Sequence, residues 1–264
     1  MTIHPSAIVS ESAIIGEGTV IDAGVLIEDG VVLGKNCNLA AYAVLRQGTV
    51  LGDEVSIDSF AVIGGDPQSL NFDASVQSGV IIGKRVTIRE GCTISRSTTA
   101  GAATTIGDGC HIMAKAHVAH DCQIDAEVVI CNNVMIASHV RLHEKVFLGA
   151  GVAVHQHCRV GHYAMIADHA TITADVPPYV TASDRNSAEG LNLVGLKRAD
   201  FGRPEITDLK RCYRAVYLGG GNLKRKATQA IREHEFATTA VGARFLAFFE
   251  SGQRGFVQSN EEMV

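Results

Sequence analysis

The sequence predicts an all-β solenoid, a parallel β-helix of hexapeptide repeats, followed by a small C-terminal α-helical domain. Three observations carry that prediction. Aliphatic residues recur at every sixth position over most of the chain, small residues and many of the 27 glycines stand beside them, and after Ile172 the repeat gives way to segments with helical spacing. Period six fits neither an amphipathic helix nor a simple alternating strand. It fits short parallel strands joined by turns, three to a triangular coil of about 18 residues.

The register starts at Val9 and runs through Ile15, Ile21, Ile27, Leu33, Leu39, Leu45, Leu51, Ile57 and Ile63. It is interrupted between Gly64 and Val80, resumes at Ile82, Ile88 and Ile94, pauses from Ser97 to Thr104, and then continues from Ile106 to Ile172, 25 positions in all. Glycine beside the aliphatic, as in Ile15-Gly16, Leu33-Gly34 and Leu51-Gly52, suits tight corners. Stacked at the interstrand spacing of ~4.8 Å, roughly eight coils give a prism on the order of 40 Å long. A solenoid has no need of the two interruptions, and loops on such scaffolds extend a binding face. The two prolines of Asp175-Val176-Pro177-Pro178-Tyr179 cannot sit in a strand ladder and mark the exit. The division is therefore a β-helix over 1–180, an extended connector over 181–202 and a helical domain over 203–264. Helices are expected from Arg203-Pro204-Glu205 to the stop at Gly219-Gly220-Gly221, from about Asn222 to His234, and from about Thr238 to Glu250.

Composition narrows the function. The start Met1-Thr2-Ile3-His4-Pro5 lacks a basic segment followed by an apolar run, and no stretch approaches the ~18 apolar residues of a membrane span. Seven cysteines form no Cys-x-x-Cys pair, so a cytoplasmic protein with free, buried thiols is expected. A formal charge of −5 argues against nucleic acid as a partner. That charge is uneven: residues 197–232 hold ten Lys/Arg against three acids, net +7, which leaves about −12 elsewhere. A basic helical surface suits an acidic partner or phosphate groups.

Nine of the 11 histidines lie between 111 and 169. With about 18 residues to a coil, His120, Ser138 and Gln156 stack in one column and Asp121, His139 and His157 in the next. His117 precedes the first column and His155 flanks Gln156. His143, His162 and His169 read as structural ladder residues. Two chemistries suit such a cluster. One is zinc held by histidines, as in a γ-carbonic anhydrase-like hydratase. The other is general base catalysis, with a neutral imidazole removing a hydroxyl proton and the neighbouring carboxylate orienting the ring. Spacing alone leaves both open.

Several motifs occur in order: His117-x-x-His120-Asp121-Cys122, Asn132-Asn133, Ser138-His139-Val140, Val154-His155-Gln156-x-Cys158, Asp175-Val176-Pro177-Pro178-Tyr179-Val180, and Asn192-x-x-Gly195-Leu196-Lys197-Arg198. In this the chain resembles the UDP-N-acetylglucosamine O-acyltransferases that begin lipid A synthesis, over nearly its whole length. The resemblance implies a left-handed β-helix, a homotrimer with active sites between prisms, and transfer of a 3-hydroxyacyl group from acyl carrier protein to the sugar 3-hydroxyl. It implies His120 as general base, Asp121 as its orienting group and the backbone N–H of Ser138 as oxyanion donor. It further implies substrate contacts from His117, His139, His155, Gln156, Asn192, Arg198, Ser69 and Asn71, and an acyl-chain ruler at Asp168 and His169. A charged Asp168 in that groove would have to be desolvated against hydrocarbon, which points to a tail of medium length, whereas an Asp168 turned to solvent or paired with His169 leaves the groove long. No metal and no cofactor is implied beyond the donor's phosphopantetheine thioester. The chain departs from the family pattern at Ser69, Asn71, Ser95, Ser138, Arg185, Val194 and Ala199, so the same chemistry on another UDP-amino sugar, by N-acylation, is the alternative within the class.

Overall fold

A two-residue strand turns successive side chains to opposite faces, so each hexapeptide sends one aliphatic inward and one neighbour outward. Ile27, Leu39, Leu45, Ile57, Ile63, Ile88 and Val118 are accordingly fully buried. The computed structural model describes residues 1–233 and 235–259. Three sheets of 11, nine and eight strands, parallel but for the last strand of the first, form the faces of the prism, beginning at Thr2–Ile3, Ile8–Val9 and Ile14–Ile15 respectively. Within the prism, strands pair with their equivalents one coil on: Val20 lies opposite Asn38, Leu26 opposite Val44 and Val32 opposite Val50. Ile8 and Ile14 are the outward residues of their strands and are exposed, and their inward neighbours Val9 and Ile15 are only partly buried in the first coil.

The expected reason for the glycines beside the aliphatics needs correcting. Left-handed backbone recurs at the corners, but largely at other residues, among them Asn36, Tyr42, Phe60, Asp121, His139 and His157. Each such non-glycine corner costs about 1 kcal/mol. The glycines serve coil stacking instead: a Cβ on Gly16 would lie 2.2 Å from the carbonyl oxygen of Gly34.

Both interruptions leave the prism at one edge, between the second and third sheets. Residues 66–78 connect Val62–Gly65 of the second sheet to Gly79–Ile82 of the third, and residues 96–102 make the same crossing one coil on. Arg96 pins the longer loop. Its guanidinium donates to Asp66 Oδ1 at 2.8 Å, to Ala74 O at 3.0 Å, to Ser78 Oγ at 3.1 Å and to Val76 O, and it lies over the Phe72 ring.

The stretch 181–202, expected as an extended connector, is more ordered than that. Val180–Ser183 and Ser187–Leu191 form an antiparallel hairpin, and helix α1 (Leu193–Arg198) follows. Helix α2 (Arg203–Tyr217) starts where Pro204 indicated, with Glu205 accepting the N–H of Gly202 at 2.7 Å. Helix α3 (Leu223–Arg232) and helix α4 (Ala240–Ala247) complete the domain, with a 3₁₀ turn at Phe248–Glu250. The expected end of the second helix at His234 lies outside the described residues.

One buried ion pair joins the prism to the helices. Asp175 is fully buried and accepts from the N–H and Nε of Arg159, both at 2.8 Å. The same guanidinium donates to Ser251 Oγ at 2.8 Å, Ser251 O at 2.7 Å and Phe248 O at 3.2 Å. Burial pushes the Asp175 carboxyl up against the pull of Arg159, so the guanidinium keeps that charge tolerable. Arg159→Met should therefore cost about 3–5 kcal/mol, the penalty for stranding one partner of a buried pair. Chemical denaturation monitored by circular dichroism checks this, and an unchanged midpoint would contradict it.

Candidate active site

The edge that carries the two loops also carries the cluster. His117–Val118 is a strand of the second sheet and Gln123–Ile124 one of the third, so His120 and Asp121 form the corner between them. The next coil stacks on it as the spacing predicted: the N–H of His139 donates to His120 O at 3.1 Å, and that of His157 to Ser138 O at 3.1 Å. His139 meets His120 edge to face with ring centroids 5.3 Å apart, and His157 stacks on His139 at 4.7 Å.

Asp121 is the electrostatic centre of this corner. Its Oδ2 accepts from His120 Nδ1 at 2.8 Å, from Thr98 Oγ1 at 2.7 Å and from Thr98 N at 3.2 Å, and its Oδ1 accepts from Ser97 Oγ. Burial opposes ionisation, but the bonds from Ser97, Thr98 and His120 outweigh it and hold the carboxyl at about 2. An ionised Asp121 offers only acceptors, so the His120 nitrogen facing it must carry the proton. In the neutral ring Nε2 is then the bare, basic nitrogen, and it has no partner among the described residues. The Thr104 hydroxyl accepts the Asp121 N–H at 2.9 Å and steadies the corner. One coil on, the N–H of Ser138 also lacks a partner among the described residues. Cys122, beside the pair in sequence, faces the core, and burial pushes its thiol up to about 12, so it is not a nucleophile.

His117 lies half-buried on the second sheet, sharing a 2.7 Å hydrogen bond between its Nδ1 and Thr93 Oγ1. Burial lowers its pKa, as it does for His139, so both rings are neutral at pH 7. His155 and Gln156 are exposed two coils beyond His120, and Arg254 donates to His155 Nδ1 at 3.0 Å. Ser69 and Asn71 are exposed in the loop at the same edge, two coils before His120. The remaining candidates are elsewhere in the chain. Asp168 and His169 are exposed on the edge between the first and second sheets, where Asp168 Oδ1 accepts the Ala150 N–H at 2.8 Å. Asn192 caps α1, accepting from Gly195 N at 3.0 Å and donating to Tyr163 O at 2.9 Å, and Arg198 is exposed at the end of that helix. A single chain thus gathers His117, His120, Asp121, Ser138, His139, His155 and Gln156, but not Asp168, His169, Asn192 or Arg198.

Reading the sequence alone missed Ser97, Thr98, Thr104, Thr93 and Arg254. Two of them have a signal: Ile94 pairs with Val118, 24 positions on, because a loop enters that coil. Counting 24 rather than 18 leads from Thr93 to His117 and from Ser97 to Asp121. Among the described residues one group could hold a metal ion, His120, Asp121 and His139, whose atoms lie within 4.8 Å of one another.

The pH dependence follows from the Asp121 bonds. Removing the two hydroxyls in Ser97→Ala/Thr98→Val should raise its carboxyl from about 2 toward the ordinary value near 4. The ionised form is then lost at a higher pH on acidification. The Asp121 carboxyl of the variant, followed by its ¹³C chemical shift, should therefore protonate at higher pH than in the parent, and coincident titrations would contradict the assignment.

The chain is similar to known proteins over nearly its full length. Residues 175–257 match the family model described as Udp N-acetylglucosamine O-acyltransferase, domain 2, and residues 12–47 and 103–138 match that of the bacterial transferase hexapeptide. The acyl-[acyl-carrier-protein]--UDP-N-acetylglucosamine O-acyltransferase of Rhizobium etli is 39% identical, over 93% of this chain and 90% of its own. That of Campylobacter concisus is 37% identical, over 87% and 88%. The solved UDP-N-acetylglucosamine acyltransferase of Francisella novicida superposes with a TM-score of 0.93 at 32% identity, covering 100% of this chain and 96% of that one. That of Campylobacter jejuni superposes at 0.90, also at 32% identity, over 98% and 100%. A parallel β-helix with the acid–imidazole corner and these relatives together establish that the chain belongs to the UDP-N-acetylglucosamine O-acyltransferase family.

Proposed function

We propose that the chain transfers a 3-hydroxyacyl group from acyl carrier protein to the 3-hydroxyl of UDP-N-acetylglucosamine, opening lipid A synthesis, with His120 as general base. The observation that carries the reading is the His120–Asp121 bond of 2.8 Å to a carboxyl held at about 2. Nε2 takes the proton of the sugar hydroxyl as its oxygen attacks the thioester carbonyl. Asp121 keeps the ring in one tautomer and stabilises the imidazolium that forms. The unpartnered N–H of Ser138, one coil away, is available to the oxyanion. Protonated His120 then returns its proton to the departing thiolate, and no acyl-enzyme is needed.

On this reading Gln156, His117, His139 and His155 contact the substrate along the edge that carries the base, with Ser69 and Asn71 reaching it from the loop two coils before. Asp168, His169, Asn192 and Arg198 lie off this edge, so they reach the substrates only from a neighbouring copy. That division supports a trimer with sites between prisms, whose coils are left-handed by resemblance. In it Asp168 and His169 would meet the acyl tail across the interface. The basic surface suits an acidic carrier protein: Lys210, Arg214, Lys224 and Arg225 are exposed on α2 and α3. Among the described residues no helix is long and apolar enough to cross a membrane.

A second reading, a zinc-dependent hydratase, draws on the triplet His120, Asp121 and His139. The Asp121 oxygens already accept four donors, which favours an orienting carboxylate over a metal ligand. Stoichiometric zinc in purified protein, with activity abolished by chelation, would favour the hydratase.

Two experiments test the proposal. His120→Ala should lower the acyl-transfer rate by about 10²–10⁴-fold, the range for general-base removal, and near-normal turnover in a folded variant would sink it. Charge reversal at Lys210 and Lys224 should raise KM for acyl carrier protein most at low salt. If KM at low salt does not move, the helices are not the docking surface.

A further inference from the structure

A groove of about 380 Å³ opens beside the base on the third sheet. It begins at Asp121 and His139, runs past Gln123, Arg141 and His157, and ends against residues 251–253 of the helical domain. Gln123, Arg141 and Arg159 are successive outward residues of that sheet, in register from coil to coil. Arg159 is committed to buried Asp175 and the 3₁₀ turn. Arg141 is not so committed. Its Nη1 donates to Gln123 Oε1 at 2.8 Å, its Nη2 lies 3.6 Å from Asp125 Oδ1, and the side chain is 45% exposed. Of the five N–H donors of a guanidinium, most are therefore open to a ligand. The competing pair with Asp125 is long and solvated, a kind worth little.

We infer that Arg141 is the acceptor's diphosphate contact, with Gln123 and the His157 ring as its neighbours. The inference rests on the nucleotide-sugar reading above. The diphosphate is bonded to C1 of the ring whose C3 hydroxyl faces His120, so it lies within a ring's width of the base. Arg141 is one coil from the His120 coil, a rise of ~4.8 Å, and opens into the same groove. The donor's own phosphate is at the far end of an extended pantetheine arm and does not reach this position while its thioester is at His120. A guanidinium matches phosphate oxygens in pairs, and it gives the groove a positive end opposite the Asp121 carboxylate.

The test compares the full-length protein with Arg141→Ala and Arg141→Lys. Steady-state kinetics with UDP-N-acetylglucosamine and acyl carrier protein thioester are paired with calorimetric titration of UDP alone, and thermal melting confirms the fold. Arg141→Ala should raise both KM for the nucleotide sugar and Kd for UDP by about 10–100-fold, the worth of one charged hydrogen-bonded contact. KM for the donor should not follow, and Arg141→Lys should recover part of the loss. Unchanged KM and Kd, or a rise confined to the donor, overturns the assignment, as does failure of the parent to bind UDP. A parent that binds UDP through Arg141 yet transfers no acyl group would sink the acyltransferase reading and leave the phosphate contact standing.

Discussion

The constraint on which this structure depends is the hydrogen-bonded stacking of one coil on the next. Each two-residue strand is too short to be stable alone, and it persists because its N–H and C=O groups pair with identical strands before and after it. Stacking forces equivalent residues into columns along the prism edges. A corner residue in left-handed backbone projects away from the core and toward the corner residues of adjacent coils. Asp121, His139 and His157 are three such residues in a row, so chemically active side chains are concentrated at an edge at a cost spread over many buried aliphatics.

The same edge accepts insertions, because a corner loop can lengthen without disturbing strand pairing. Residues 66–78 and 96–102 both use that freedom. The shorter insertion bends Ser97 and Thr98 over Asp121, supplying three donors that a regular corner would not have. The longer one is held by a single buried arginine. Scaffold and chemistry are thus linked through backbone pairing on one side and a carboxylate on the other. Asp121 tolerates partial burial because donors surround it, and by remaining ionised it dictates which nitrogen of His120 bears the proton.

Much of this was legible in the residues. The six-residue period gave the solenoid, its inward aliphatics and its end near Asp175. The 18-residue spacing brought His120, Ser138 and Gln156 into one column, because no insertion falls between Ile106 and Ile172. The spacing failed where loops enter, and there Ser97 and Thr98 were read as a polar break instead of as partners of Asp121. Glycines beside the aliphatics were assigned to corners on conformational grounds, whereas close approach of stacked backbones requires them. Contacts that join distant parts of the chain, such as Arg254 to His155 and Arg159 to Ser251, have no periodic signal at all. Residues on other edges, Asp168 and Asn192 among them, could be grouped with His120 by resemblance but not by the path of one chain.

The central claim is that an ionised Asp121 holds neutral His120 as the Nδ1–H tautomer, with Nε2 facing the reacting hydroxyl. The most direct measurement is the pair of imidazole ¹⁵N chemical shifts of His120 at the working pH, in the parent and in Asp121→Asn. The account predicts a protonated Nδ1 and a bare Nε2 in the parent, and loss of that preference in the variant. A parent ring protonated at Nε2 with bare Nδ1, or a tautomer indifferent to the substitution, would contradict it.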